Sequence, residues 1–169
     1  MYLNSQLKDG LRQLSDMYLR NADTKKRLHN SFYELVLNIG TEYHSPTLPS
    51  GVKKQLPKLC FHNCFELANE NRDLIYCEGY AIATKIPIPI DHAWLITPEG
   101  QVIEPTIKLR EGEEIVYQGI AFDLDWLIKL KDSRELYSWY SVIQCNYLEN
   151  FSFLREGFPK EAFYVGAKA

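Results

Sequence analysis

The chain has 169 residues, 46% of them hydrophobic and 13% aromatic, which is enough apolar mass for one domain with its own core. Its 19 basic and 22 acidic residues nearly balance at a formal net charge of −3, so no basic surface draws it to nucleic acid or anionic lipid. No apolar run approaches the roughly 20 residues of a membrane helix, and Met1 to Gln6 lack a leader pattern, so a cytoplasmic protein without membrane contact is expected.

Leu3, Leu7, Leu11, Leu14 and Tyr18 step by three or four and predict a first helix ending near Asn21. Asp23 or Thr24 is placed to cap a second helix in which Leu28, Phe32, Leu35, Val36 and Ile39 share a face, and Gly40 predicts a left-handed stop. Residues 1–40 therefore read as a helical N-terminal part. Residues 41–59, with Pro46, Pro49, Gly51 and Pro57, have the composition of a loop, of a length that often lies over a site.

Residues 60–122 read as the chemical core. Cys60 to about Asn69 predicts a helix with Phe61, Cys64, Phe65 and Ala68 on its apolar face. Leu74 to Thr84 predicts a strand, with Gly79 marking a bulge or a close backbone approach. Pro87-Ile88-Pro89-Ile90 reads as an extended linker. Ala93–Thr97 and Gln101–Glu104 form a hairpin around Thr97-Pro98-Glu99-Gly100, with His92 at its mouth. A strand at Ile115–Gln118 follows. Residues 123–169 complete the domain as helix (from about Phe122 to Lys131), strand (Leu136–Gln144) and helix (Asn146–Arg155). Without repeats or a second composition regime, the whole predicts a single α+β domain, 1–169.

The four cysteines, Cys60, Cys64, Cys77 and Cys145, read as thiols rather than as a disulfide framework. Cys60 stands at a predicted loop-to-helix junction, where the helix dipole and a nearby imidazole would stabilise a thiolate. His92 opens a predicted strand, and Glu104 on the partner strand can reach the same end of the sheet to fix the imidazole's tautomer. Cys64, one helical turn on, is a rival nucleophile. Gln55 and Asn63 are candidate oxyanion donors, and Tyr80 and Trp94 candidate site-lining residues. Cys60, His62, Cys64, Cys77 and His92 also admit a zinc reading, against which stands the lack of a Cys-x2-Cys pair; neither a metal nor a cofactor is expected. His29 and His44 have no recognisable partners.

Cys60-Phe61-His62-Asn63-Cys64, Tyr76-Cys77-Glu78-Gly79-Tyr80-Ala81, His92-Ala93-Trp94, Val102-Ile103-Glu104-Pro105-Thr106 and Tyr117-Gln118-Gly119-Ile120-Ala121-Phe122 together resemble the papain-like and transglutaminase-like superfamily of cysteine enzymes. Within it they look most like a group of small bacterial and phage proteins. The sequence departs from that pattern at Glu104, where Asp is usual, and at Cys64, where a small residue is usual. The resemblance implies a nucleophile helix packed on an antiparallel sheet and acyl transfer by a Cys60–His92–Glu104 triad. A peptide, protein or small acyl compound would be the substrate. The alternatives are an idle binding or inhibitor protein on the same fold and a zinc-stabilised module, and the oligomeric state is open.

Overall fold

The leucine spacing of the first segment builds α1 (Tyr2–Leu19), which buries Leu7 and Leu11. The computed structural model describes residues 2–20, 27–44, 46–47, 53–144 and 151–166. Asp23, Thr24 and Cys145 lie outside that set. The second helix, α2 (Phe32–Ile39), starts later than its apolar spacing predicts, because Ser31 caps it by accepting from the Glu34 N–H. Leu28 consequently precedes the helix and is exposed. Gly40 is not left-handed, at φ −81°. Its missing side chain serves a close approach instead, since a Cβ there would lie 2.5 Å from the Val36 carbonyl oxygen.

Gly40 leads straight into β1 (Thr41–His44), a strand where the sequence predicted loop. The remaining elements are α3 (Cys60–Glu70), β2 (Ile75–Ala83), β3 (Ile86–Ile96), β4 (Val102–Ile103), β5 (Ile115–Ala121), α4 (Leu124–Ser133) and α5 (Ser152–Glu156). The predicted α+β class holds: the described strands form one sheet of order β1-β5-β2-β3-β4, with every neighbouring pair antiparallel.

Three further expectations change. Pro87 to Ile90 is the outer half of β3, not a linker, and lies where β3 has β2 on one side and no strand on the other, the setting in which a sheet accepts proline. Residues 136–144 form turns rather than a strand, because the buried Glu78 carboxylate takes the Val142 and Ile143 N–H groups at 3.1 and 2.9 Å, in place of a ladder partner. The last helix is short, its predicted start falling on residues outside the described set.

Alternation along the strands gives the sheet two buried faces. One carries Tyr76, Tyr80, Ala93 and Leu95 and is covered by α1, α2 and α3 through Leu7, Leu11, Leu35, Val36, Cys64 and Ala68. The other carries Cys77, Trp94, Ile96 and Tyr117. Gly79 pairs with both His92 and Gly119, so two glycines face each other across β2 and β5, without a bulge at that point. Close backbone approach is the reason for both: a Cβ on Gly79 would stand 2.3 Å from the Gln118 carbonyl oxygen, and one on Gly119 2.3 Å from the Trp94 ring. Gly119→Ala is expected to destabilise the fold by at least about 1–3 kcal/mol, the usual cost of overpacking. Urea denaturation measures it, and an unchanged midpoint would show that the Trp94 ring has room to move.

Candidate active site

A charged imidazole and a carboxylate persist inside a protein only when each is paired and every lone pair and proton has a partner. His92 and Glu104 meet that condition. His92 lies on β3, is 2% exposed, and presents Nε2 to Glu104 Oε2 at 2.7 Å. Behind it, the Trp94 and Tyr117 rings lie roughly parallel to the imidazole, with centroids at 6.5 and 6.1 Å. With Nε2 committed to Glu104, Nδ1 is the ring nitrogen that remains, and the Cys60 thiol lies close enough to the imidazole to favour its charged form.

Glu104 follows β4 by one residue and accepts four hydrogen bonds. Oε2 receives His92 Nε2 and the Tyr117 hydroxyl at 3.0 Å; Oε1 receives the backbone N–H groups of Thr106 and Ile107, both at 2.7 Å. Burial alone would raise its pKa, but the His92 bond and charge and the two N–H donors outweigh burial and lower it. Burial likewise opposes the charge on His92. The nearby Cys60 sulfur and the Glu104 carboxylate, which accepts from the ring, favour the charged form, outweigh burial and raise its pKa to about 9.

Cys60 is the first residue of α3 and half-buried. The chain reaches it through Lys58, held in the left-handed region at φ 66°. Leu59 at the N-cap offers no side-chain acceptor, so the Cys60, Phe61 and His62 N–H groups have no partner among the described residues. They stay available to an incoming anion. Below Leu95, β3 has no strand on its outer side, and there the start of α3 and the 104–107 turn meet. Asn63 ties them together, donating to the Leu56 carbonyl at 2.7 Å and to the Thr106 hydroxyl at 3.0 Å.

The other sequence candidates fall in different places. Asn63 spends both amide protons on that tie and is not poised as an oxyanion donor, while the Gln55 side chain donates to the Lys53 carbonyl. Gln55 does reach the site through its backbone, its N–H donating to Pro105 O at 2.9 Å. Trp94 is fully buried, a wall behind the imidazole rather than a surface a substrate touches. Tyr80 points to the opposite face of the sheet, where its ring meets Tyr33. Cys64 is sealed from solvent and donates to the Ala93 carbonyl; burial first, then the charges of Glu104 and Cys60, push its thiol pKa well up, which removes it as a nucleophile. Among the described residues no cluster of three His, Cys, Asp or Glu can hold a metal, which leaves the zinc reading without ligands there.

Two site residues escape sequence reasoning. Tyr117 supplies a fourth partner of Glu104, and the only signal for it was its place in the Tyr117-Gln118-Gly119 motif. Lys54, in the segment predicted as loop, donates to the Glu104 and Ile107 carbonyls at 2.5 and 2.6 Å and clamps the turn that holds the carboxylate. No helix among the described residues is long and apolar enough to cross a membrane. Comparison with family models, with curated proteins and with solved structures finds no match to this chain.

Glu104→Gln places an amide N–H₂ against donors and leaves a buried imidazolium unpaired. A loss of about 3 kcal/mol or more is expected in chemical denaturation, and a loss below about 1 kcal/mol would mean that the carboxylate is not the anchor of the site. For His92 the sign follows from its raised folded pKa. Its stabilisation is complete below the ordinary value of 6.5 and disappears as pH rises through about 9. An NMR titration should find the ring still protonated at pH 7.5, with a parallel decline in stability between pH 7 and 10; titration at or below the ordinary value would contradict this.

Proposed function

We propose that the protein is a cysteine-dependent hydrolase or acyltransferase acting on an amide, ester or thioester. Its core, on this reading, is of the papain-like or transglutaminase-like kind: a nucleophile helix, α3, across β2 and β3, with the base on one strand and its orienter just beyond the next. The observation that carries the reading is the buried His92–Glu104 pair, its carboxylate saturated by four donors, with the Cys60 thiol close enough at the start of α3 to favour the charged imidazole.

Each part has a chemical task. With its proton on His92, the Cys60 sulfur adds to the carbonyl carbon, and the C=O electron pair moves onto oxygen. The unpartnered N–H groups at the start of α3 receive that oxyanion. Collapse expels the amine, alcohol or thiol, which takes its proton from the imidazolium, and leaves a thioester on Cys60. Water or an amine then attacks the thioester while His92 takes the proton, and departure of the sulfur restores the starting state. Glu104 holds the ring in the tautomer that keeps Nδ1 toward sulfur and stabilises the imidazolium.

The test is alkylation. At pH 7, iodoacetamide should modify Cys60 at least about tenfold faster in the wild type than in His92→Ala, as expected when a neighbouring imidazolium stabilises the thiolate. Rates are read by peptide mass mapping, with all four cysteines followed. Equal rates in the two proteins would favour the idle binding protein instead.

A further inference from the structure

Strand β2 lies between β3 and β5, and strands two apart in a sheet stand roughly 9–10 Å from each other. The Tyr117 ring of β5 nevertheless comes within 6.1 Å of the His92 imidazole of β3, centroid to centroid, and lies within 21° of parallel to it. It leans across β2 because β2 offers no bulk there: Gly79 pairs with both His92 and Gly119, and Ala81 pairs with Tyr117.

Packing accounts for the ring but not for its hydroxyl, since a phenyl ring would fill the same space. Tyr117 is fully buried, and its hydroxyl, removed from water, donates to Glu104 Oε2 at 3.0 Å. That oxygen also receives His92 Nε2, at 2.7 Å, while Oε1 is filled by the Thr106 and Ile107 N–H groups. Imidazole and hydroxyl therefore aim their protons at one atom and share its charge. The hydroxyl draws on charge that would otherwise stabilise the imidazolium, which makes the ring's proton easier to release.

The titratable groups around the imidazole come from three elements: Glu104 from the turn after β4, Cys60 from α3 and Tyr117 from β5. β2 presents Gly79, Trp94 stacks on the ring from the same strand, and the Lys54 ammonium sits on the Glu104 and Ile107 carbonyls. Glu104 and Cys60 favour the charged ring, whereas the Tyr117 hydroxyl acts against it through the shared oxygen.

We infer that Tyr117 is a positioning residue of the Cys60 site, which keeps the His92 proton transferable by sharing Glu104 Oε2, an assignment that rests on the Cys60–His92–Glu104 reading and adds to it. His92 has to accept the thiol's proton and then yield it to the leaving group, and a general acid works best with its pKa near the working pH. At about 9 the ring already holds its proton tightly. Without the hydroxyl, Oε2 would serve the imidazolium alone and the proton would be held more tightly still.

An NMR titration of the His92 ring in Tyr117→Phe tests this. The midpoint should move up from that of the wild type by at least about 0.5 pH unit, a threefold gain in proton affinity. A residue that only packs gives no change, or a fall toward 6.5 if the ring loosens, and either result overturns the assignment. Should Tyr117→Phe fail to fold, 3-fluorotyrosine incorporated at position 117 decides instead. It keeps the ring and makes the hydroxyl a stronger donor, so the midpoint should move down; an unchanged or raised midpoint overturns the assignment equally. Iodoacetamide separates this from the triad itself. If His92→Ala leaves the Cys60 rate unchanged, the triad fails and Tyr117 has no reaction to serve. If Cys60 keeps its His92-dependent rate and the midpoints do not move, the triad stands and Tyr117 is packing alone.

Discussion

The site is organised by the requirement that the Glu104 carboxylate, removed from water, find a donor for every lone pair it presents. Four donors from three parts of the chain supply this: His92 on β3, Tyr117 on β5, and the Thr106 and Ile107 N–H groups of the turn. Those groups must converge for folding to succeed, so the orientation of the imidazole is secured by the same energy that holds the sheet edge together. Thr47, Lys54 and Gln55 then become structural too, through bonds to Val102, Glu104, Pro105 and Ile107. These three residues form the outer wall of the carboxylate's shell.

Glu78 repeats the logic on the other face. Burial raises its pKa, the Ser141 hydroxyl and the Ile143 and Val142 N–H groups oppose that rise, and Tyr76 completes its shell at 2.9 Å. One buried carboxylate therefore organises each face of the sheet: Glu104 builds the imidazole's surroundings, and Glu78 builds the turn that carries the exposed aromatics. Gly79 lies next to Glu78 and opposite both His92 and Gly119. Its lack of a side chain lets β2 and β5 approach closely enough for Trp94 to pack over Gly119 and against Tyr117, behind the imidazole.

Local signals were legible where they coincide with burial. The α3 pattern, the β2 run and the hairpin with His92 at its mouth could all be read, since apolar period and turn chemistry agree there. What escaped was decided by distant partners. Strand β1 has the composition of a loop and becomes a strand because β5 offers it an edge. The aromatic segment 136–144 has the composition of a strand and becomes a turn because Lys131 and Glu78 take its carbonyls and N–H groups. Pro87 and Pro89 looked like a linker because a sequence does not show which strand will be an edge. Tyr117 was invisible as a site residue for the same reason: its hydroxyl acquires meaning only through a carboxylate thirteen positions away.

Cys60 and Cys64 show how narrow the margin is between structural and chemical use of one side chain. They lie one turn apart on the same helix. At position 64 the sulfur faces the strand backbone, donates a hydrogen bond to Ala93 O, and is kept neutral by burial. At position 60 the helix has only begun, the sheet edge has ended, and the sulfur lies beside an imidazole that a saturated carboxylate holds in place. Moving a thiol one turn toward the N-terminus exchanges an apolar contact for unpartnered N–H groups, a proton acceptor and access to solvent. It is the abrupt end of cover at the start of α3, rather than any property of the cysteine, that sets the two thiols apart.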